Sequence, residues 1–177
     1  MANRWLLTGG ARSGKSRFAV DRAAKTNAAV TIITTAEAID DEMTMRISAH
    51  QQERPANWTT IEEPLALTDA VKSVPSDHTL IIDCLVVWLG NMYHYEKQDH
   101  CEQEIAAFVV ELQKRSGITL IVTNDVGLGV VPESELGRIY RDQLGRINST
   151  VAKACDKVLF FSAGHAMELH PTETWLS

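Results

Sequence analysis

The sequence lacks a surplus of positive charge, paired cysteines and any long apolar run. Its 17 lysine and arginine residues against 23 aspartate and glutamate residues leave a net charge of −6. Without a basic surplus there is no general means of holding a polyanion by counterion release, so we expect no nucleic-acid partner. The cysteines, Cys84, Cys101 and Cys155, form no C-x-x-C pair. That spacing argues against a disulfide framework and favours a reducing compartment.

Apolar runs in this chain are too short to cross a membrane, because none approaches the ~20 residues that a spanning helix needs. The first residues, Met1 to Arg4, lead into a short apolar run and not into the pattern of a signal peptide. We therefore expect a soluble, cytoplasmic protein without a membrane span. The 177 residues, 45% of them hydrophobic and 23% charged, show no repeat or linker. Residues 1–177 are thus predicted to form one domain.

Short runs rich in β-branched residues alternate with helical patterns along the chain. Runs that are apolar on both faces indicate strands of a parallel sheet covered on both sides. The predicted strands are Trp5–Leu7, Val30–Thr34, Leu80–Cys84, Ile118–Thr123 and Val158–Phe161. The predicted helices are Ser16–Lys25, Glu63–Val74, Glu102–Lys114 and a long amphipathic segment from Leu136 to Ala154. This alternation predicts an α/β fold with a mostly parallel sheet and helices on both faces.

Residues Gly9 to Ser16 carry the strongest single motif. They read G-x-x-x-x-G-K-S between a predicted strand and a predicted helix, which is the context that a phosphate-binding loop requires. Successive N–H groups of such a loop point at phosphate oxygens, aided by the positive end of the following helix. Lys15 would reach the β- and γ-phosphates, and Ser16 would offer its hydroxyl to Mg²⁺. A glycine-rich turn without a ligand is the alternative. The octet and its flanks favour the phosphate loop and a P-loop NTPase-type fold.

A carboxylate at the end of a neighbouring apolar strand normally completes the magnesium site of such proteins. The run Thr79 to Asp83 supplies one, since four residues suited to a strand precede Asp83. An acid at a strand end can also be an ordinary helix cap. With the phosphate loop present, we favour Asp83 as a metal or nucleotide ligand.

The segment after the second predicted strand favours a helix that carries a histidine. Its acidic start suits a helix N-terminus, and Pro55 should end the helix at Arg54. His50 shares one helix face with Arg54, and Arg46 lies beside it. Two interpretations stay open. His50 is either a half-buried structural residue, the commoner role for a lone histidine, or a nucleophile that attacks phosphorus while the arginines neutralise phosphate charge.

Several stretches together resemble one enzyme family, the bifunctional adenosylcobinamide kinase / adenosylcobinamide-phosphate guanylyltransferase of vitamin B12 coenzyme biosynthesis. The generic part is T-G-G-A-R-S-G-K-S from Thr8. The stretches specific to the family are D-D-E-M-x-x-R-I-x-x-H from Asp40 and N-x-V-G-x-G-V-V-P-E from Asn124. The others are R-P-x-x-W from Arg54, the apolar run to Asp83 and R-x-x-x-G-R-x-N from Arg141.

The resemblance implies two activities. Such enzymes phosphorylate the aminopropanol hydroxyl of adenosylcobinamide with GTP or ATP, and then move GMP from GTP onto that phosphate through a guanylyl-histidine. The histidine that matches here is His50. Family members are typically trimers. The implied nucleotide contacts are Gly9, Gly10, Ala11, Arg12, Ser13, Gly14, Lys15, Ser16, Thr34, Thr35, Ala36, Gln51, Gln52, Glu53, Arg54, Glu62 and Asp83.

One departure and several open alternatives accompany this resemblance. After Asn124 the family usually has glutamate, whereas this chain has Asp125, so an activity that depends on the reach of that acid would be weakened. For the segment 124–133 we favour corrinoid binding or subunit contact over an ordinary surface loop. Two roles stay open for the arginines Arg138, Arg141 and Arg146. They either bind phosphate or are exposed to solvent without a ligand. A P-loop kinase for another small hydroxylated substrate and a non-enzymatic nucleotide switch are the alternative functions.

Overall fold

A seven-stranded sheet forms the centre of the molecule. The computed structural model describes residues 3–38, 45 and 55–175. The strands are β1 (Arg4–Gly9), β2 (Val30–Thr34), β3 (Thr59–Glu62), β4 (Thr79–Asp83), β5 (Thr119–Val122), β6 (Lys157–Ser162) and β7 (His165–Leu169). They are ordered β3-β2-β4-β5-β1-β6-β7. All pairs from β3 to β6 are parallel, and β7 runs antiparallel to β6. Apart from Met45, the predicted helix around His50 lies outside the described residues.

Helices cover both faces of this sheet. They are α1 (Lys15–Ala23), α2 (Leu67–Ser73), α3 (Leu85–His94), α4 (Cys101–Gln113) and α5 (Glu135–Ala154), with 3₁₀ turns at Gln98–His100 and Thr172–Trp175. Neighbouring strand residues point to opposite faces. Leu6 therefore packs with α2 to α5 in one apolar cluster, whereas Leu7 packs with Ala19 and Ala23 of α1 in another. The predicted α/β fold, mostly parallel and covered on both faces, is confirmed.

The helix predicted from Glu63 begins four residues later, at Leu67. Pro64 disfavours helical geometry at the residue before it. The carboxylate of Glu63 instead accepts hydrogen bonds from the N–H groups of Leu65 and Ala66, both at 2.8 Å. These contacts hold the chain in a turn before the helix starts. The prediction of the helix was right, and its start was wrong.

The carboxyl ends of the parallel strands meet at one edge of the sheet, where open α/β sheets bind ligands. In the register of the sheet, Thr34 lies beside Asp83, and Asp83 lies beside Val122. Gly9 ends β1 next to Phe161 of β6. The phosphate-loop motif and the predicted metal carboxylate therefore reach the same edge. Within the described residues, no helix has the length and hydrophobicity needed to cross a bilayer.

At the opposite edge, a buried arginine ties two connections together. Arg115 is 8% exposed. Its guanidinium donates hydrogen bonds to the backbone carbonyls of Val74 at 3.1 Å, Pro75 at 3.2 Å and His78 at 2.9 Å, and to the hydroxyl of Thr119 at 3.3 Å. Burial lowers the pKa of Arg115. Arg115 lies between α4 and β5, and its hydrogen bonds hold the connection between α2 and β4. The carbonyl groups of Val74 and His78 in that connection are 41 and 37 residues away from Arg115 in sequence.

Replacement of Arg115 by methionine should therefore destabilise the fold strongly. The variant Arg115→Met keeps much of the side-chain volume but leaves the carbonyl groups without donors, and we expect a loss of about 3 kcal/mol in the free energy of unfolding. Urea denaturation measures this loss. The control is Lys114→Met, which removes an ion pair between the exposed Lys114 and the half-buried Glu111 and should cost less than about 1 kcal/mol. Equal midpoints for the two variants would contradict a structural role for Arg115.

Candidate functional site

The phosphate-loop motif forms the turn between β1 and α1. Its conformation requires glycine at both ends. Gly9 has φ of 131°, and a Cβ atom there would lie 2.2 Å from the carbonyl oxygen of Phe161. Gly14, directly before α1, has φ of 103°. Because side chains at these positions would be strained or would clash, the sequence pattern follows from the backbone path.

Lys15 lies inside this loop and not on its surface, since it is only 6% exposed. Its Nζ donates hydrogen bonds to the carbonyl oxygens of Gly9 at 3.0 Å and Gly10 at 2.7 Å, and to the hydroxyl of Ser13 at 3.2 Å. Burial lowers the pKa of Lys15, while the nearby Cys84 and Asp83 act to raise it. The ammonium group is thus held in the loop, where a phosphate group bound by the loop would meet it.

Ser16 and Asp83 supply two oxygen ligands for a cation. Ser16 lies in the first turn of α1, and its hydroxyl is 3.4 Å from Oδ1 of Asp83 at the end of β4. A hydroxyl and a carboxylate are hard oxygen ligands, of the kind that Mg²⁺ prefers. The described part of the chain contains no cluster of three or more histidine, cysteine or acidic side chains suited to a metal. A cation here would need further oxygen ligands, as bound phosphate groups provide.

The predicted residues at the ends of β2 and β3 lie at the same edge. Thr35 is fully buried; its hydroxyl donates to the carbonyl of Cys84 at 2.8 Å, and its N–H donates to the carbonyl of Asp83 at 3.1 Å. The segment 34–36 is therefore fixed beside the end of β4. Glu62 pairs with Thr34 in the β2–β3 register and is exposed. Its carboxylate is available to a ligand.

The structure thus brings together one part of the predicted nucleotide site. The residues at one edge of the sheet are Gly9, Gly10, Ala11, Arg12, Ser13, Gly14, Lys15, Ser16, Thr34, Thr35, Ala36, Glu62 and Asp83. The predicted nucleophile His50 and the predicted contacts Gln51, Gln52, Glu53 and Arg54 lie outside the described residues. Their roles stay predictions.

Sequence reasoning did not place the β6–β7 turn at this site. The backbone N–H of Gly164 donates to the carbonyl of Ser13 at 3.1 Å. Ala163 and Gly164 have φ of 49° and 79°, which are typical of a two-residue hairpin turn. The dipeptide Ala-Gly between apolar runs was a weak signal for this hairpin. Its contact with the phosphate loop depends on the position of β6 beside β1, which no local pattern gives.

The loop between β5 and α5, residues 123–134, also contacts the phosphate loop. The N–H of Asp125 donates to the carbonyl of Gly9 at 3.3 Å. Asn148 of α5 holds the start of this loop, since its side-chain amide donates to the carbonyl of Asn124 at 2.9 Å. The β5–α5 loop is therefore fixed at one end to the phosphate loop and to α5.

Solved structures with similar folds support this architecture. The RadB recombinase matches with a TM-score of 0.50 and 12% identity, over 89% of this chain and 73% of that protein. An ATPase from a bacterial type III secretion system matches with a TM-score of 0.54 and 9% identity, over 90% of this chain and 52% of that protein. At such identities the likeness shows the fold alone, which is that of the P-loop NTPases.

Sequence comparisons give the family. The bifunctional adenosylcobalamin biosynthesis protein CobP of Pseudomonas aeruginosa is 42% identical over 165 residues, covering 93% of this chain and 95% of the relative. CobU proteins of Escherichia coli and Salmonella typhimurium are each 32% identical over 178 residues, covering 93% of this chain and 98% of each relative. A family model described as cobinamide kinase / cobinamide phosphate guanyltransferase matches residues 5–169. The resemblance carried by the motifs is confirmed, and the chain belongs to this family.

Proposed function

We propose that this chain catalyses both reactions named for its family. The first is phosphoryl transfer from a nucleoside triphosphate to adenosylcobinamide. The second is transfer of GMP from GTP to adenosylcobinamide phosphate, which yields adenosylcobinamide-GDP for vitamin B12 coenzyme biosynthesis. The observation that carries the proposal is the phosphate loop with its buried Lys15, in a chain whose relatives are named as bifunctional. These names favour this function over another P-loop kinase or a nucleotide switch.

The phosphate loop can serve both reactions because it binds the terminal phosphates. In the kinase reaction it holds the γ-phosphoryl group that is transferred, and in the guanylyl transfer it holds the diphosphate that leaves. Lys15 and the loop N–H groups neutralise negative charge in both cases, and in phosphoryl transfer such positioning and electrostatic stabilisation provide most of the catalysis. GTP binds here in both reactions, and ATP is an alternative donor for the first.

Mg²⁺ fits the pair formed by Ser16 and Asp83. The two side chains offer a hydroxyl and a carboxylate oxygen 3.4 Å apart, the hard oxygen ligands that this cation takes alongside phosphate oxygens and water. When bound, the ion would neutralise charge on the phosphate groups. The contribution of the chain is to fix both oxygens on rigid elements, the first turn of α1 and the end of β4.

His50 is the proposed nucleophile of the second reaction. An imidazole nitrogen would attack the α-phosphorus of GTP, forming an N–P bond as the bond to the leaving diphosphate breaks. The phosphate of adenosylcobinamide phosphate would then attack the same phosphorus, releasing the imidazole. Gln51, Gln52, Glu53 and Arg54 are proposed to bind the same nucleotide. Glu62 would accept hydrogen bonds from the guanine N–H groups that adenine lacks.

The location, oligomeric state and partners of the enzyme are proposed from its family. We propose that residues 1–177 form one domain that works in the cytoplasm as a homo-oligomer, a trimer by the resemblance. Its partners are small molecules, GTP or ATP and adenosylcobinamide, and no nucleic acid is required.

Replacement of Asp83 by asparagine tests the cation site. The variant Asp83→Asn keeps the side-chain shape but removes the charge, so we expect both activities to fall roughly 100-fold at low Mg²⁺ and to recover in part at high Mg²⁺. Rates of γ-phosphoryl and GMP transfer across a Mg²⁺ titration measure this. The matched control is Asp69→Asn on α2, where the exposed acid pairs with Lys72. Unchanged Mg²⁺ dependence in Asp83→Asn would refute the assignment.

Replacement of His50 separates the two reactions. The variant His50→Ala should abolish transfer of label from α-labelled GTP to the protein, and leave γ-phosphoryl transfer to adenosylcobinamide within a few-fold of its original rate, because only the second reaction needs the nucleophile. Denaturing gels with α- and γ-labelled GTP measure the two outcomes. His94→Ala, at an exposed position of α3, is the control. Labelling that persists in His50→Ala would place the nucleophile elsewhere.

A further inference from the structure

A cavity of about 800 Å³ lies between α4 and α5, next to the β5–α5 loop. Its walls are formed by Glu102 and Ile105 of α4, by Gly127 of the loop, and by residues of α5 between Arg141 and Thr150. A cavity of this size suits a large small-molecule ligand, since such sites commonly measure ~300–1,000 Å³. The nucleotide site proposed above contains none of these residues.

The side chains around this cavity suit a ligand rich in amide groups. Hydrogen-bond donors come from Arg146, Ser149 and Thr150, and Glu102 offers an acceptor. Arg146 is exposed and makes no hydrogen bond or ion pair with the other described residues. Arg141, by contrast, is paired with Asp142 at 2.8 Å. The guanidinium of Arg146 therefore retains its donors for a molecule that enters the cavity.

A glycine in the middle of α5 forms part of the wall of this cavity. Gly145 is exposed, and a Cβ atom there would meet nothing within 4 Å. A glycine inside a helix costs about 1 kcal/mol relative to alanine. At Gly137 packing explains the glycine, since a Cβ atom would lie 2.8 Å from Pro132. Gly90 of α3 resembles Gly145 in its open surroundings but does not line the cavity.

Packing among the described residues does not explain Gly145. A glycine allows a ligand to approach the helix backbone more closely than any side chain would permit. Gly145 is a wall residue of the cavity. A flat ligand that lies against α5 at this point accounts for both features.

One residue connects the cavity to the phosphate loop. The N–H of Asp125 donates to the carbonyl of Gly9 at 3.3 Å. The carboxylate of Asp125 accepts a hydrogen bond from the N–H of Gly127, a wall residue of the cavity, at 3.1 Å. Asp125 thus links the phosphate loop to the wall of the cavity.

We propose that this cavity is the acceptor site, in which the amide-bearing corrin ring of adenosylcobinamide lies against Gly145 with Arg146 donating to its amide carbonyls. The proposal rests on the proposed function. The aminopropanol arm of the substrate reaches over Asp125 to the phosphate loop, where its hydroxyl accepts the γ-phosphoryl group. The same placement presents the new phosphate for guanylyl transfer.

The test fills the cavity at Gly145. Isothermal titration of the full-length protein with cobinamide, in the presence of Mg²⁺ and GTP, should show that Gly145→Leu weakens cobinamide binding about tenfold or more, because the leucine occupies space that the ring needs. The Kd for GTP should stay within about twofold. Leucine favours helix over glycine, so the thermal midpoint should not fall. Loss of binding would then not reflect misfolding.

Two further variants complete this design. Arg146→Gln should weaken cobinamide binding several-fold, about as expected for one lost charged donor. Ala107→Leu adds an exposed leucine to α4 outside the cavity and should leave the affinity unchanged.

The possible results separate the cavity assignment from the proposed function. If Gly145→Leu binds cobinamide with wild-type affinity, the assignment is overturned. It is also overturned if the variant loses affinity for GTP as much as for cobinamide. A variant whose only change is its oligomeric state, measured by light scattering, would overturn it as well. A wild-type protein that neither binds cobinamide nor forms product would instead refute the proposed function, and the assignment with it.

Discussion

The site depends on the close approach of two backbones, those of Gly9 and Phe161. A Cβ atom on Gly9 would lie 2.2 Å from the carbonyl oxygen of Phe161, so only glycine lets β1 turn into the phosphate loop beside β6. On the other side of β1, Asp125 donates its N–H to the carbonyl of Gly9. The loop is thus held between its two neighbouring strands. Its N–H groups are fixed before any ligand binds, which is the preorganisation that electrostatic catalysis requires.

This fixed loop explains how one site can serve two reactions at different phosphorus atoms. A loop that binds the terminal phosphates leaves both the γ- and the α-phosphorus accessible from other directions. Elements around the edge can then bring different nucleophiles. The β5–α5 loop adjoins the cavity proposed for the acceptor, on the side of α4 and α5. Glu62 and the segment 34–36 lie on the opposite side, across β4, where the nucleoside is proposed to bind.

The parts of the site that could be predicted from the sequence are those whose chemistry is local or follows from the strand pattern. The octet Gly9–Ser16 can be recognised as a phosphate loop from its residues alone. Asp83 could be predicted beside it because parallel strands end at the same edge of the sheet. The strand β3 was missed because Thr59–Glu62 is largely exposed, and β7 because all its residues are exposed. The contact of Gly164 with Ser13 and the cavity on α5 require the assembled fold. His50 stays a prediction.

The one clear departure from the family pattern has a structural interpretation. Where the family usually has glutamate, the carboxylate of Asp125 accepts a hydrogen bond from the N–H of Gly127 at 3.1 Å. This contact, two residues along the chain, is an Asx-type turn, which the short aspartate side chain forms readily. The carboxylate is therefore engaged with its own loop. The N–H of Asp125 also donates to the carbonyl of Gly9. With aspartate at this position, the β5–α5 loop is therefore fixed between the phosphate loop and the cavity. A glutamate has one more methylene group, and its carboxylate would extend beyond this turn.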